Sequence, residues 1–109
     1  MKTSELTGAA IVWAVAKCEG IDYMKDDVRF RGAYARKYST DWARGGPIIE
    51  RERIEVRYRV GVGMTATIDG KSEQTAGYQE SPNPMLLAAM RCYVASKLGD
   101  EIELPEELS

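Results

Sequence analysis

Apolar residues in the first twenty positions recur at helical spacing. Leu6, Ala10, Trp13 and Cys18, with Ala9 and Ala14 beside them, form one stripe, which predicts a helix over Ser4–Glu19. Thr3 stands where an N-cap belongs, and Gly20 where a left-handed residue ends a helix. The pattern dissolves over Ile21–Lys37, where Val28-Arg29-Phe30-Arg31 alternates like a short strand and Gly32 breaks it. That stretch is long for a plain connection and reads as a functional loop or as one containing a strand. Ser39 or Thr40 caps a turn through Asp41–Arg44, which Gly45-Gly46-Pro47 interrupts. Proline suits a first helical position, so Ile48–Arg53 reads as a second helical piece, separate from that turn or kinked against it.

The clearest periodicity lies in Ile54–Met64. Ile54, Val56, Tyr58, Val60, Val62 and Met64 alternate with Glu55, Arg57, Arg59, Gly61 and Gly63, the signature of a half-buried strand. Gly61 and Gly63 permit a bulge, the close approach of another group, or simply added twist. Asp69-Gly70 is a hairpin signal, with Lys71–Gln79 as the returning strand. Asn83-Pro84 opens a third helix that runs to Leu98 and stops at Gly99. Leu86, Leu87, Met90, Tyr93, Val94 and Leu98 give it a broad apolar stripe. The fold class expected is α+β, a small antiparallel sheet of two to four strands packed with three α-helices in a layered sandwich. Residues 1–99 form the single domain, and residues 100–109 an acidic tail with a short Glu101–Leu104 strand.

Composition narrows the chemistry. The chain has 109 residues, 44% of them hydrophobic, enough for one modest core. It has no histidine, which removes the usual triads, the default general base at neutral pH and the commonest metal ligand. Cys18 and Cys92, its two cysteines, are too few for structural zinc or a disulfide framework and are expected to be small buried hydrophobes. No apolar run reaches the ~18 residues of a membrane span, and the amino end has no signal-peptide plan. The expectation is a non-enzymatic cytoplasmic domain without metal or cofactor and without a membrane partner.

Charge is segregated. The last ten residues hold five acids and no base, while Lys25–Arg59 holds ten basic residues against six acidic ones. Arginine dominates there, and its planar fork suits phosphate or carboxylate, although a solvated face of paired charges accounts for the same run. The modest basicity and the acidic tail count against nucleic acid as the partner.

The block Tyr38-Ser39-Thr40-Asp41-Trp42-Ala43-Arg44-Gly45-Gly46-Pro47 gathers aromatics, hydroxyls, a carboxylate, an arginine and a glycine pair at a helix start. Backbone amides at such a start converge on an anion, and Tyr38 or Trp42 offers a stacking face. The same residues also read as a cap, a core tryptophan and a turn. Asp41, Glu50 and Glu52 are carboxylates with nothing to split their pKa values into an acid and a base. Arg91 is either a surface residue or a ligand clamp.

Three stretches carry a family resemblance: Met1–Ala10, the blocks Tyr38–Trp42 and Gly45–Arg51, and Ala88–Gly99. They resemble the NinX-like phage proteins, a family of unknown function encoded in accessory regions of lambdoid phages. More loosely, the chain is similar to small phage α-β-α sandwich domains in which a Ser-Thr-Asp cap opens the middle helix. The resemblance implies a phage origin, the host cytoplasm, and action by binding rather than by turnover. The function expected is capture of a small anionic, nucleotide-derived ligand, such as a host immune signal, by a homo-oligomer whose subunit interfaces deepen the pocket. The proposed ligand set is Tyr38, Ser39, Thr40, Asp41, Trp42, Arg44, Gly45, Gly46, Arg57, Arg59 and Arg91. The helix start and arginines would hold phosphate, Tyr38 or Trp42 would stack on the base, and Thr40 or Asp41 would bond to ribose hydroxyls. The rival is an interaction module that inhibits or retargets a host protein, and a carboxylate hydrolase ranks last.

Overall fold

Every residue from Leu86 to Ala95 is buried, so the helix that carries them is enclosed on all sides and serves as the centre of the molecule. The computed structural model describes residues 1–20 and 41–104. The expectations for Ile21–Lys37, for Tyr38, Ser39 and Thr40, and for the tail beyond Leu104 lie outside the described residues. Among those described are α1 (Gly8–Cys18), α2 (Trp42–Glu52), β1 (Glu55–Arg59), β2 (Gly63–Ile68), β3 (Lys71–Ala76) and the central α3 (Pro84–Leu98). They form three helices and an open antiparallel sheet in the order β1-β2-β3, the α+β class expected. The sheet rests on α3 chiefly through β2 and β3, and α1 and α2 lean on α3 as well.

The helix at the amino end starts later than the stripe predicts. Thr3–Glu5 is a single 3-10 turn, Leu6 is extended, and α1 begins at Gly8 with a φ of +54°. The carbonyl of Leu6 accepts a hydrogen bond from Arg91 Nε at 3.0 Å, and the Ala10 amide that a helix would send to it goes to the Thr7 carbonyl at 3.1 Å. Thr3 therefore caps nothing. It is buried, its hydroxyl donates to the Gly99 carbonyl at 2.6 Å, and its amide donates to the Asp100 carbonyl at 2.8 Å. The Met1 amine and the Ile102 amide each donate to the other residue's carbonyl, and Lys2 bridges Glu101. Residues 1–3 and 99–102 thus clasp each other antiparallel.

α2 corrects the expected interruption at Gly45-Gly46-Pro47, because one helix runs through all three residues. A residue before proline normally avoids the helical region, since its Cβ meets the proline ring, and Gly46 has no Cβ. Pro47 has no N–H to offer the Ala43 carbonyl, which belongs to an exposed residue where water can satisfy it. The helix ends at Arg53, which is left-handed with φ +55°.

The long strand expected over Ile54–Met64 is in fact two strands and a turn. The chain reverses through Val60–Val62, Gly61 has φ +79°, and the Val62 amide donates to the Arg59 carbonyl at 3.1 Å. Val60 and Val62, expected on the buried face, are 86% and 46% exposed as a result. Gly63 lies where β3 passes closest: a Cβ there would stand 2.2 Å from the Ala76 carbonyl oxygen. Close approach, one of the readings open for this glycine, is the one observed. Asp69 and Gly70 both have positive φ, as a two-residue hairpin turn demands. The register pairs Arg57 with Thr65 and Thr65 with Thr75, so these three form a row across the outer face of the sheet. Met64, Ala66 and Ala76 point the other way, into the core.

Candidate functional site: the outer face of the sheet

The residues expected to act together fall into three separate places. At the start of α2, Asp41 is the N-cap, and its Oδ1 accepts from the Ala43 amide at 2.9 Å. The amides of Arg44 and Gly45 donate to the Asp41 carbonyl at 3.0 and 2.9 Å. This corrects the expected anion receptor at the glycine pair, because the entrance is closed by the chain's own carboxylate and carbonyl. Trp42 is 45% exposed rather than core. Its indole lies near Gly46, where an added Cβ would stand 3.9 Å from the ring. Arg44 is exposed on the same turn.

Arg91 is neither a surface residue nor a clamp for a ligand. Its side chain is 1% exposed, and it donates to the carbonyls of Leu6 and Thr75 and, through Nη1 and Nη2, to both carboxylate oxygens of Glu80. Four of the five donors of its guanidinium are thereby used inside the fold.

Arg57 and Arg59 belong to a different setting. With Glu55, Tyr58, Thr65, Thr67, Gly70 and Glu73 they line a hollow of about 450 Å³ on the sheet. Alternation along β1 and β2 puts Glu55, Arg57, Arg59, Thr65 and Thr67 on the face opposite α3. Arg57 pairs with Glu55, and Arg59 Nη1 stands 3.8 Å from Glu73 Oε1, a charge contact beyond hydrogen-bond distance. Thr65 is 4% exposed, and among the described residues its hydroxyl has no hydrogen-bond partner, an unmet demand at the floor of the hollow.

A third cluster escaped the sequence reading. Arg51 at the end of α2 makes a two-pronged bond to Glu19 just past α1, at 3.1 and 2.7 Å. The Tyr93 hydroxyl of α3 donates to Glu19 Oε2 at 2.5 Å, Arg51 Nη2 reaches the same hydroxyl at 3.1 Å, and Lys97 pairs with Glu52. The Arg51 guanidinium holds the Glu19 carboxyl below its ordinary range, and Glu52 is held low by the same group. Burial, then Glu19, pushes the Tyr93 phenol up. These three side chains come from distant parts of the chain, and no local spacing announces them. Thr65 and Thr67 were hidden for a related reason, since their place beside the arginines follows only once the chain is known to turn at Gly61.

Thiols and carboxylates among the described residues are displaced from their ordinary ranges by burial and by arginines. Burial pushes the thiols of Cys18 and Cys92 up to about 11, away from the reactive thiolate. The carboxylates of Glu19, Glu52 and Glu80 are all displaced downward by arginines, the opposite of what a proton donor at neutral pH needs. Among the described residues no group of His, Cys, Asp or Glu is arranged to hold a metal ion, and no helix is long and apolar enough to cross a membrane.

Fold and site together define a small open-sheet α+β domain that keeps its core on one side of the sheet and a polar hollow on the other. The family model described as Bacteriophage P22, NinX matches residues 2–97, nearly the whole chain. The protein belongs to this phage family. No curated protein matches the chain.

Proposed function

We propose that this NinX-family protein is a non-catalytic binder that sequesters a small anionic, nucleotide-derived ligand, such as a signal of the host's immune response, in the hollow on the outer face of the sheet. The observation that carries the reading is the coincidence of Arg57 and Arg59 with the unpartnered hydroxyl of buried Thr65. Two forks one strand residue-pair apart suit a phosphate, and the Thr65 hydroxyl supplies a further contact at its foot. Glu55 and Glu73 accept from sugar hydroxyls or base amino groups, and Tyr58 offers a ring edge. The ligand competes with Glu55 and Glu73 for the arginines, which are exposed enough to swing toward it.

Titration calorimetry against a panel of cyclic and linear nucleotides tests the reading, with chromatography of the recovered nucleotide. The expected result is saturable binding of a nucleotide that is recovered intact, weakened about tenfold or more by Arg57→Ala or Arg59→Ala. Absence of heat with every nucleotide, or binding indifferent to both substitutions, refutes the site; a consumed nucleotide refutes the non-catalytic role.

A second reading, a module that docks on a host protein, has its own support in Trp42 and Arg44. Both are exposed in the first turn of α2, and these residue types anchor interfaces more often than others do. Pull-down from host lysate distinguishes it: a host protein captured by the wild type and lost with Trp42→Ala, in the absence of any nucleotide binding, favours docking.

A further inference from the structure

The polar groups of the hollow are laid out across the sheet. Arg57 and Arg59 stand on β1, Thr65 on the middle strand β2, and Glu73 on β3. The row Arg57–Thr65–Thr75 crosses all three strands, and Glu73 is two residues from Thr75 on β3. Two strand spacings, about 9–10 Å, separate the arginine strand from the Glu73 strand. The phosphate and the base edge of one nucleotide bridge such a distance.

The two carboxylates of the hollow differ in what they already do. Glu55 accepts from Arg57 Nε, which leaves the terminal nitrogens of that fork for a ligand. Glu73 accepts no hydrogen bond among the described residues, and the Arg59 guanidinium beside it stands 3.8 Å away. A phosphate that draws Arg59 toward Arg57 therefore leaves Glu73 as an acceptor with nothing to accept from.

We infer that the base of the captured nucleotide is guanine and that Glu73 is the residue that selects it. The inference rests on the ligand reading above and goes further by naming the base. An ionised carboxylate accepts and never donates, so it suits an edge with two donors side by side. Guanine presents N1–H and its exocyclic amino group in that arrangement. Adenine and cytosine set a ring-nitrogen acceptor beside their amino group, and uracil flanks its one N–H with carbonyl oxygens. Each of these three turns a lone pair toward Glu73. Arg57, Arg59 and the Thr65 hydroxyl, which has no partner among the described residues, hold the phosphate end of the ligand.

Titration calorimetry with the 5′-monophosphates of guanosine, adenosine, cytidine, uridine and inosine tests the inference. The expected result is guanosine monophosphate bound about tenfold or more tighter than the adenosine, cytidine and uridine compounds. Inosine monophosphate, which keeps N1–H and lacks the amino group, falls in between. Glu73→Gln, which sets a donor beside an acceptor, removes the preference and improves adenosine monophosphate, whereas Arg57→Ala weakens every compound alike. Equal affinity for all bases, or a guanine preference untouched by Glu73→Gln, overturns the inference; the ligand reading then survives where Arg57→Ala still weakens binding. If none of these monophosphates binds, the inference falls, and the ligand reading falls with it only if cyclic and longer nucleotides give no heat either.

Discussion

Arg91 and Glu80 form an unequal pair: the guanidinium is 1% exposed and the carboxylate 44%, yet Nη2 and Oε1 meet at 3.0 Å. The buried cation is satisfied from three directions, by β3, by the segment entering α1 and by the loop before α3, which it ties to the central helix. Arg91→Ala removes the cation and strands the Leu6 and Thr75 carbonyls. The expected loss is about 2–5 kcal/mol, from the unpaired carbonyls and the cavity left behind, seen as a large fall in the denaturation midpoint. Glu80→Gln should cost less, because Arg91 keeps its two carbonyl partners and the glutamine oxygen still accepts one of its bonds, so only the counter-charge of the buried cation is lost. Equal losses in the two variants would contradict the assignment of Arg91 as the structural centre.

Stability should fall at both ends of the pH range, for different groups. Arg51 holds Glu19 low and Arg91 holds Glu80 low in the folded protein. Their contribution is complete above the ordinary carboxylate range and is lost as pH falls through the folded values, since the unfolded chain takes up protons first. Tyr93, Cys18 and Cys92 are raised, so their contribution is complete below their unfolded values and is lost as pH rises toward the folded ones. Urea midpoints followed from about pH 7 down to about pH 3 and up to about pH 11 give the two limbs. Glu19→Gln should flatten the acid limb and Tyr93→Phe the alkaline one. An acid limb unchanged in Glu19→Gln speaks against the Arg51 contact.

The two glycines of the β1–β2 turn region should respond differently to alanine. Gly61→Ala meets open space and costs only the strain of a positive φ, about 1–3 kcal/mol. Gly63→Ala carries the same kind of strain and also drives a methyl into the Ala76 carbonyl, so β2 and β3 must part at that end. Thermal melts of the two variants should place Gly63→Ala well below Gly61→Ala; the reverse order would mean that the strands are not in contact there.

Where local chemistry decides the backbone, the sequence was readable. Asn83-Pro84 and Gly99 bracket α3 as expected, and Asp69-Gly70 makes its hairpin. Charged Glu55, Arg57 and Arg59 occupy the polar face of a strand. Misreadings arose where a residue's usual meaning is reversed by its neighbour. Proline lost its breaking force behind Gly46, and alternation past Tyr58 continued in sequence but not in space because the chain folds at Gly61. Leu6 kept the helical spacing although its carbonyl serves Arg91. The site was less legible still. A hollow is made by residues brought together across strands, and a lone arginine at position 91 looks the same in one dimension whether it faces water or the middle of the fold.

The arrangement around α3 divides the labour of the molecule unevenly. A helix hemmed in along ten consecutive residues leaves hardly any of them open to change, because each substitution disturbs more than one neighbour. The side chains on the far surface of the sheet are under no such constraint: Arg57, Arg59, Glu55 and Glu73 can be exchanged with little disturbance to the interior. Related phage proteins can therefore diverge on this surface while inheriting the same frame, and variation among them should gather there and thin out toward the central helix.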